Sequence, residues 1–590
     1  GPKKQSAKLD LSGFTSVDAI VREHGTWDLV LERLEAGEMP PEKAPQQPSK
    51  AERQAIIDWI TALRDREGRR NAGDPGTVLA RRLSSAEYDN TIRDLTGVDI
   101  RPTREFPVDP ANTAGFDNSG ESLTMSPALV RKYLAAARLV ADHVVLKPEG
   151  FVFAPHPAVT ETDRDKYCVR RIIDFYQKQP TDLAAYFFAA WQYRHRAQLN
   201  KPDATLNDFA REAGVSRKYL ATLWDILNEA EAAPGPLGEV QTEWRKLPED
   251  PTQADAARQA CKQLGETVQK LRQALVVDPG KVQVKGMSPG SQPLVLWRNR
   301  QQATRRMVCI EKKDSSDDAA LQEARARFCR EFPDAFYNAD RGAYFDPKGA
   351  NQGRLLTAGF HLMQGYFRDD APLCELILDD AERAELDALW RELDFVTLVP
   401  IRQYKDYIFF ERAEPPQFMG EKQFDFARSE DKDVVSVAKM QRVGELVLEK
   451  ARKVGASDDA VGAIETYFRD MSASIRWVEE TRLQAEPSHL ATLQEFASRA
   501  YRRPLTTVEK DDLVAFYRLL REQDELGHEE AIRDTLVAIL MSPHFCYRFD
   551  LAAAGSNIQP LDDHELASRL SYFVWSSMPD AELLAHAAAG

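Results

Sequence analysis

Apolar residues recur at helical spacing from one end of the chain to the other, and that period limits the fold more than any other feature. Trp27, Val30, Leu31 and Leu34 fall at i, i+3, i+4 and i+7, one stripe of an amphipathic helix. Ser49 and Glu52 form a capping box ahead of Ile56, Ile57 and Ile60, which are predicted to face inward. Ser84 or Ser85 caps a helix carrying Tyr88, Ile92 and Leu95, and Gly97 ends it. A long helix begins after Ser126-Pro127, with Pro at its first position. Thr506 and Glu509 box a helix whose inner face is Leu513, Phe516, Tyr517 and Leu520, and Ile532, Leu536 and Ile539 line the next. Asp562 and Glu565 open a last helix with Leu566, Leu570 and Phe573 predicted buried. The fold class expected is mainly α, a multi-module helical protein with a mixed, loop-rich middle.

A chain of 590 residues exceeds one core. Punctuation suggests modules at 1–68, 75–150, 151–430, 431–486, 487–552 and 558–590, the last only begun. The net charge of −15, from 78 basic and 93 acidic residues, disfavours non-specific nucleic-acid binding, which runs on phosphate neutralisation. No apolar run nears the roughly 18 residues of a membrane span; AAYFFAAW is too short. The six cysteines include no Cys-x-x-Cys, so a zinc or thioredoxin-type centre is not expected. Their even number permits disulfides whose pairing sequence does not give.

Within 151–430 several stretches invite function. PDATLNDFAREAGVSRKYLATLWDIL mimics a helix-turn-helix, with Ser216, Arg217 and Lys218 opening the would-be recognition helix; an ordinary helical hairpin fits as well, and no nucleic-acid partner is expected. PLVLWRNRQQATRRM reads as a strand or apolar run entering a basic segment, with Arg298, Arg300, Arg305 and Arg306 ion-paired to nearby acids. QYKDYIFFERAEPPQFM reads as an aromatic strand or helix end. Phe332–Asp370 mixes aromatics, carboxylates and arginines, the usual lining of a sugar or small-ligand pocket; Tyr344, Arg354, His361 and Tyr366 are its candidate residues. Asp109, Asp117, Asn118 and Glu121 suit either a cation site or plain Asx turns. His544 beside Arg548 lacks any nucleophile motif and reads as a helix-terminal His bonded to backbone.

Met39 stands apart. Gly37 stops the first helix, Pro40 and Pro41 stiffen the following loop, and a thioether is presented on it. Such a sulfur either fills a core gap or serves as a soft distal ligand to a haem iron.

The segment from Gly1-Pro2-Lys3-Lys4-Gln5 through WDLVLERLEAGEMPP to AIIDWI resembles the latter part of the cytochrome c domain that opens large planctomycete proteins. In that family Cys-x-x-Cys-His runs directly into Gly-Pro-x-Lys-Gln, so the resemblance implies a chain cut just after the haem-binding His. RRLSSAEYDNTIRDL with Gly115–Asn118, Ser542–Arg548 and Leu570–Asp580 resemble further helical modules of the same proteins. The resemblance implies a truncated cytochrome c-like first domain and a periplasmic or extracellular electron-transfer protein. It further implies haem c in the full-length protein, none expected in this fragment, and Met39 as distal ligand. The partner would be a redox protein or a small-molecule or glycan substrate. A helical scaffold binding polysaccharide or cell-surface partners is the alternative, and a carboxylate-dependent hydrolase a third that needs two facing acids.

Overall fold

A computed structural model of the protein describes residues 10–72, 80–112, 115, 119–120, 122–277, 282–304, 309–311, 319–339, 366–548 and 561–590. It is mainly α, 65% helix against 3% strand, as the periodicity predicts. Among the described residues no helix is long and apolar enough to cross a membrane. The chain divides into two units, one of residues 1–82, 109–124 and 547–565, the other of 83–108, 125–546 and 566–590.

In the first unit helices His24–Glu35 and Lys50–Arg70 close a small core of Val30, Leu31, Leu34 and Ile60, with Trp27, Met39 and Ile57 against it. Both predicted caps form: Ser49 and Glu52 exchange side-chain-to-backbone bonds, and Gly37 turns left-handed at φ 74° after the first helix. Ile56 is a correction. It is exposed, because the partner helix offers one stripe and covers only the Ile57–Ile60 edge. Arg81–Arg82 pairs antiparallel with Tyr547–Arg548. Buried Arg82 donates to Asp109 at 2.7 Å and to the Thr124 carbonyl at 3.1 Å, so Asp109 serves an ion pair. Asp117, Asn118 and Glu121 lie outside the described residues.

The second unit is strung along one helix, Asp458–Ala500, of 43 residues. Helix Val437–Lys453 lies against it where Gly444 leaves room for Phe468: a Cβ there would stand 3.1 Å from the ring. Tyr404, Tyr407, Ile408, Val443, Ile464 and Ile475 build the surrounding core. The apolar run at 293 is helix Gln292–Thr304, not a strand, whereas Gln403 to Ala413 completes helix Val399–Ala413, the helix end that the sequence allowed. In the first, residues of high strand propensity obey burial against neighbouring helices instead. Arg300 pairs with Asp470 at 2.7 Å, as the basic segment suggested; Arg305 and Arg306 lie outside the described residues.

The helix-turn-helix stretch forms helices Leu206–Ala213 and Arg217–Leu227 about a left-handed Gly214. Ser216 donates to the Ile377 carbonyl at 2.6 Å and Tyr219 to that of Glu331 at 2.6 Å, so the second helix is anchored by its neighbours. A hairpin the sequence did not announce, Val144–Lys147 with Gly150–Phe153, sits where Gly150 meets Thr492 of the long helix too closely for a Cβ. The last prediction of burial is also corrected. Helix Asp563–Trp575 turns Ala567, Ser571 and Tyr572 inward and leaves Leu566, Leu570 and Phe573 exposed, Phe573 at 86%.

Candidate functional site

Met39 is held from behind. Its amide and that of Glu38 both donate to the Arg33 carbonyl, at 3.2 and 2.9 Å, which folds the loop back over the helix end. The half-buried side chain rests on the Val30–Leu34 stripe. Nearby, two buried donors have no partner: the indole Nε1 of Trp27, whose ring meets Phe14 and Trp59 edge-on, and Nε of Arg53. Buried orphan donors are uncommon, since each forfeits a hydrogen bond it had in water.

Of the four predicted pocket residues, Tyr344, Arg354 and His361 lie outside the described residues. Tyr366 is placed, in an interior network. Its hydroxyl donates to Oδ2 of Asp165 at 3.0 Å, and Arg402 grips both oxygens of that carboxylate at 2.9 Å. Burial and the Asp165 charge push the Tyr366 phenol upward. Two acids on successive helices do titrate high: burial raises Asp394 to about 7 and Asp406 to about 6. Inside the core, burial lifts Glu411 to about 7 against Ser291 and Lys450, and its Oε1 has no partner.

One fully partnered polar assembly was not legible in the sequence. His489 on the long helix is buried; its Nε2 lies 2.7 Å from the Lys147 carbonyl and its Nδ1 2.7 Å from Nε2 of His528. Nδ1 of His528 lies 2.7 Å from the Tyr517 hydroxyl. A carbonyl only accepts, so His489 donates through Nε2 and accepts at Nδ1. His528 therefore donates through Nε2 and accepts at Nδ1, and Tyr517 donates to it. Every proton is fixed by that one carbonyl, and both rings are neutral. Burial lowers both histidines, His528 to about 4. No local spacing could have announced this, because the two histidines are 39 residues apart.

Distant segments also meet around Arg502. This buried guanidinium donates to the carbonyls of Ala500, His544 and Phe545 at 3.1, 2.6 and 3.4 Å and lies over the Tyr572 ring at 5.6 Å. Thr91 gives its only hydroxyl proton to the Glu87 carbonyl at 2.6 Å, so Tyr572 donates to Thr91 at 2.8 Å. Tyr88 meets Phe545 and Tyr133 edge-on at 5.3 and 5.2 Å. His544 turns its ring toward Glu509, Nε2 3.8 Å from the carboxylate, and gives its backbone carbonyl to Arg502.

Among the described residues five cysteines are free thiols and no three His, Cys, Asp or Glu side chains converge as for a metal ion. No curated protein and no solved structure matches the chain. Three family models do, each described as a protein of unknown function: DUF1587 over residues 81–146, DUF1595 over 490–550 and DUF1592 over 561–590. Those three stretches contribute Tyr88, Arg502 and Tyr572 to the single core just described, and all three are domains of planctomycete cytochrome c family proteins.

Proposed function

We propose that this chain is part of an exported electron-transfer protein that carries c-type haem, working in the periplasm or outside the cell. The observation that supports this reading best is the set of three matched modules, which belong to planctomycete cytochrome c family proteins. The residues of the first unit suit the distal side of a haem: a half-exposed thioether on a pinned loop, flanked by the unpartnered donors of Trp27 and Arg53. A bound haem supplies reversible one-electron chemistry. This chain's part is to hold the Met39 sulfur by the Arg33 carbonyl and to offer those donors to an acidic edge. The attachment cysteines and the proximal His would come from residues outside this sequence.

The test is to extend the reading frame upstream of Gly1 and produce the longer protein in a host that matures c-type cytochromes. Covalent haem in a low-spin spectrum is expected, and Met39→Ala should abolish the sulfur-to-iron charge-transfer band. A Met39→Ala spectrum identical to the parent removes the ligand assignment; an extended frame without Cys-x-x-Cys-His removes the haem.

A second reading, a helical assembly that binds polysaccharide or a cell-surface partner, draws on the exposed Phe573 and Trp575, aromatic faces of the kind that stack on sugar rings. Quenching of tryptophan fluorescence by soluble glycans, lost in Trp575→Ala, would support it.

A further inference from the structure

Residues 523–527 connect helix Thr507–Glu522 to helix His528–Met541, and the connection is held lightly. Residues 523–525 and Gly527 are exposed. Glu525 stands in the left-handed region at φ 53°, which favours glycine over a side chain. The Leu526 amide donates to the Leu520 carbonyl at 3.1 Å, Arg521 donates to the Leu526 carbonyl, and the Gly527 amide donates to Glu530 at 2.9 Å. His528, the next residue, ties this segment inward. Its ring bonds Tyr517 on one side and His489 on the other, each at 2.7 Å, and His489 reaches the Lys147 carbonyl at 2.7 Å.

All three bonds need neutral rings. Their donors run one way, from Tyr517 to His528 to His489 to a carbonyl that only accepts. A proton on Nδ1 of His489 sets two N–H groups face to face across 2.7 Å. A proton on Nδ1 of His528 does the same with the Tyr517 hydroxyl until the phenol turns. It also leaves a cation on the first residue of a helix, at the positive end of the helix dipole. The charges around the pair divide. Arg482, two turns before His489, and Arg521, one turn after Tyr517, oppose a cation; Glu486, one turn before His489, and Glu529, beside His528, favour one. Glu529 is already shared by Arg164 at 2.8 Å and Arg533 at 2.9 Å, and the Lys147 ammonium is paired with Glu392 at 3.0 Å. Burial tips the balance and is the largest cause holding both rings below their ordinary 6.5.

We propose that this assembly is an acid-operated latch: a proton on the His489–His528 pair frees residues 523–527 and the first turn of helix His528–Met541 while the surrounding core stays closed. The freed rings meet water and regain their ordinary affinity for the proton. The rest of that helix is fastened independently. Arg533 donates to the carbonyls of Ala141, Val144 and Ala158, and Ile532, Leu536 and Ile539 are buried, so opening stops within the first turn. The latch is independent of the haem reading, because it uses only second-unit residues.

Amide hydrogen exchange of the full chain, read peptide by peptide at pH 7.5 and pH 5 and corrected for the intrinsic rate, tests it. With His528 at 6.5 in the opened segment and about 4 in the closed one, opening is favoured roughly thirtyfold more at pH 5 than at pH 7.5. Protection over residues 523–531 should fall by about that factor, with almost no dependence on sub-denaturing urea, since little surface is exposed. His528→Gln should abolish the pH dependence. Unchanged protection of this segment in the parent chain at pH 5 overturns the proposal without any variant. So does an equal fall in a folded His528→Gln protein, or a urea dependence matching that of helix Val437–Lys453, which would mean that the whole unit opens.

Discussion

Tyr517 and His528 share a hydrogen bond of 2.7 Å in which the phenol is the donor, a direction dictated two links away by the Lys147 carbonyl. The chain Tyr517–His528–His489 has room for one orientation of its protons at neutral pH. An added proton has to turn the Tyr517 hydroxyl away, toward Glu486, its other neighbour.

Acid should therefore weaken the second unit. Both histidines titrate lower in the folded chain than their ordinary 6.5, so the unfolded chain binds more protons between the two values. Stability is whole above about pH 6.5 and falls as pH drops toward about 4, the value of His528. Each pK unit is worth about 1.4 kcal/mol. Urea denaturation from pH 7.5 to 4.5 should show the slope, and His528→Gln should flatten it; an unchanged slope in that variant contradicts the assignment. Glu486, Arg482, Arg521 and Glu529 face the pair and set its exact range.

Glu411 predicts the opposite sign. Burial raises its folded value to about 7 from 4.5, so the folded chain is the one that binds the extra proton. Its contribution is present below about pH 4.5 and lost as pH rises through 7. Glu411→Gln, neutral and of the same shape, should stabilise the protein above pH 7 by on the order of 1–3 kcal/mol. A destabilised Gln variant at pH 8 would show that the ionised carboxylate is needed.

Arg502 should be hard to replace. Arg502→Lys keeps the charge but cannot reach three carbonyls and an aromatic face together, and should cost about 2–4 kcal/mol. Tyr572→Phe removes one donor to Thr91 and should cost about 1 kcal/mol. A double-mutant cycle measures their coupling, and strict additivity would mean that the matched stretches do not share a core.

Gly444 lies directly against the Phe468 ring of the long helix. A Cβ at 3.1 Å from Phe468 forces that ring to shift, so Gly444→Ala should be mildly destabilising and Gly444→Leu should cost about 3 kcal/mol or more. A Leu variant of unchanged thermal midpoint would place the helices farther apart than described.

The helices were legible because their signals are local. Ser49 with Glu52 and Thr506 with Glu509 need four residues to be seen, and both boxes form as read. The stripe from Trp27 to Leu34 likewise packs as its spacing predicts. What sequence could not give is whether anything covers a stripe. Leu566, Leu570 and Phe573 have the right period, yet Tyr572 takes the inward position because Thr91, 481 residues away, waits for its hydroxyl. Strand propensity misled at 293–304, where helix neighbours decided. The polar assemblies were invisible for the same reason: Tyr366 finds Asp165 across 201 residues, and no period encodes that distance.

The Asp458–Ala500 helix spans roughly 65 Å at 1.5 Å per residue. Pro487 lies inside it and cannot donate to the carbonyl one turn back, which makes that point the natural bend. Tilting the rod there by about ten degrees would swing the Asp458 end through roughly 8 Å. His489 lies just after that joint, so a proton forced onto the His489–His528 pair would load the pivot of the longest helix among the described residues.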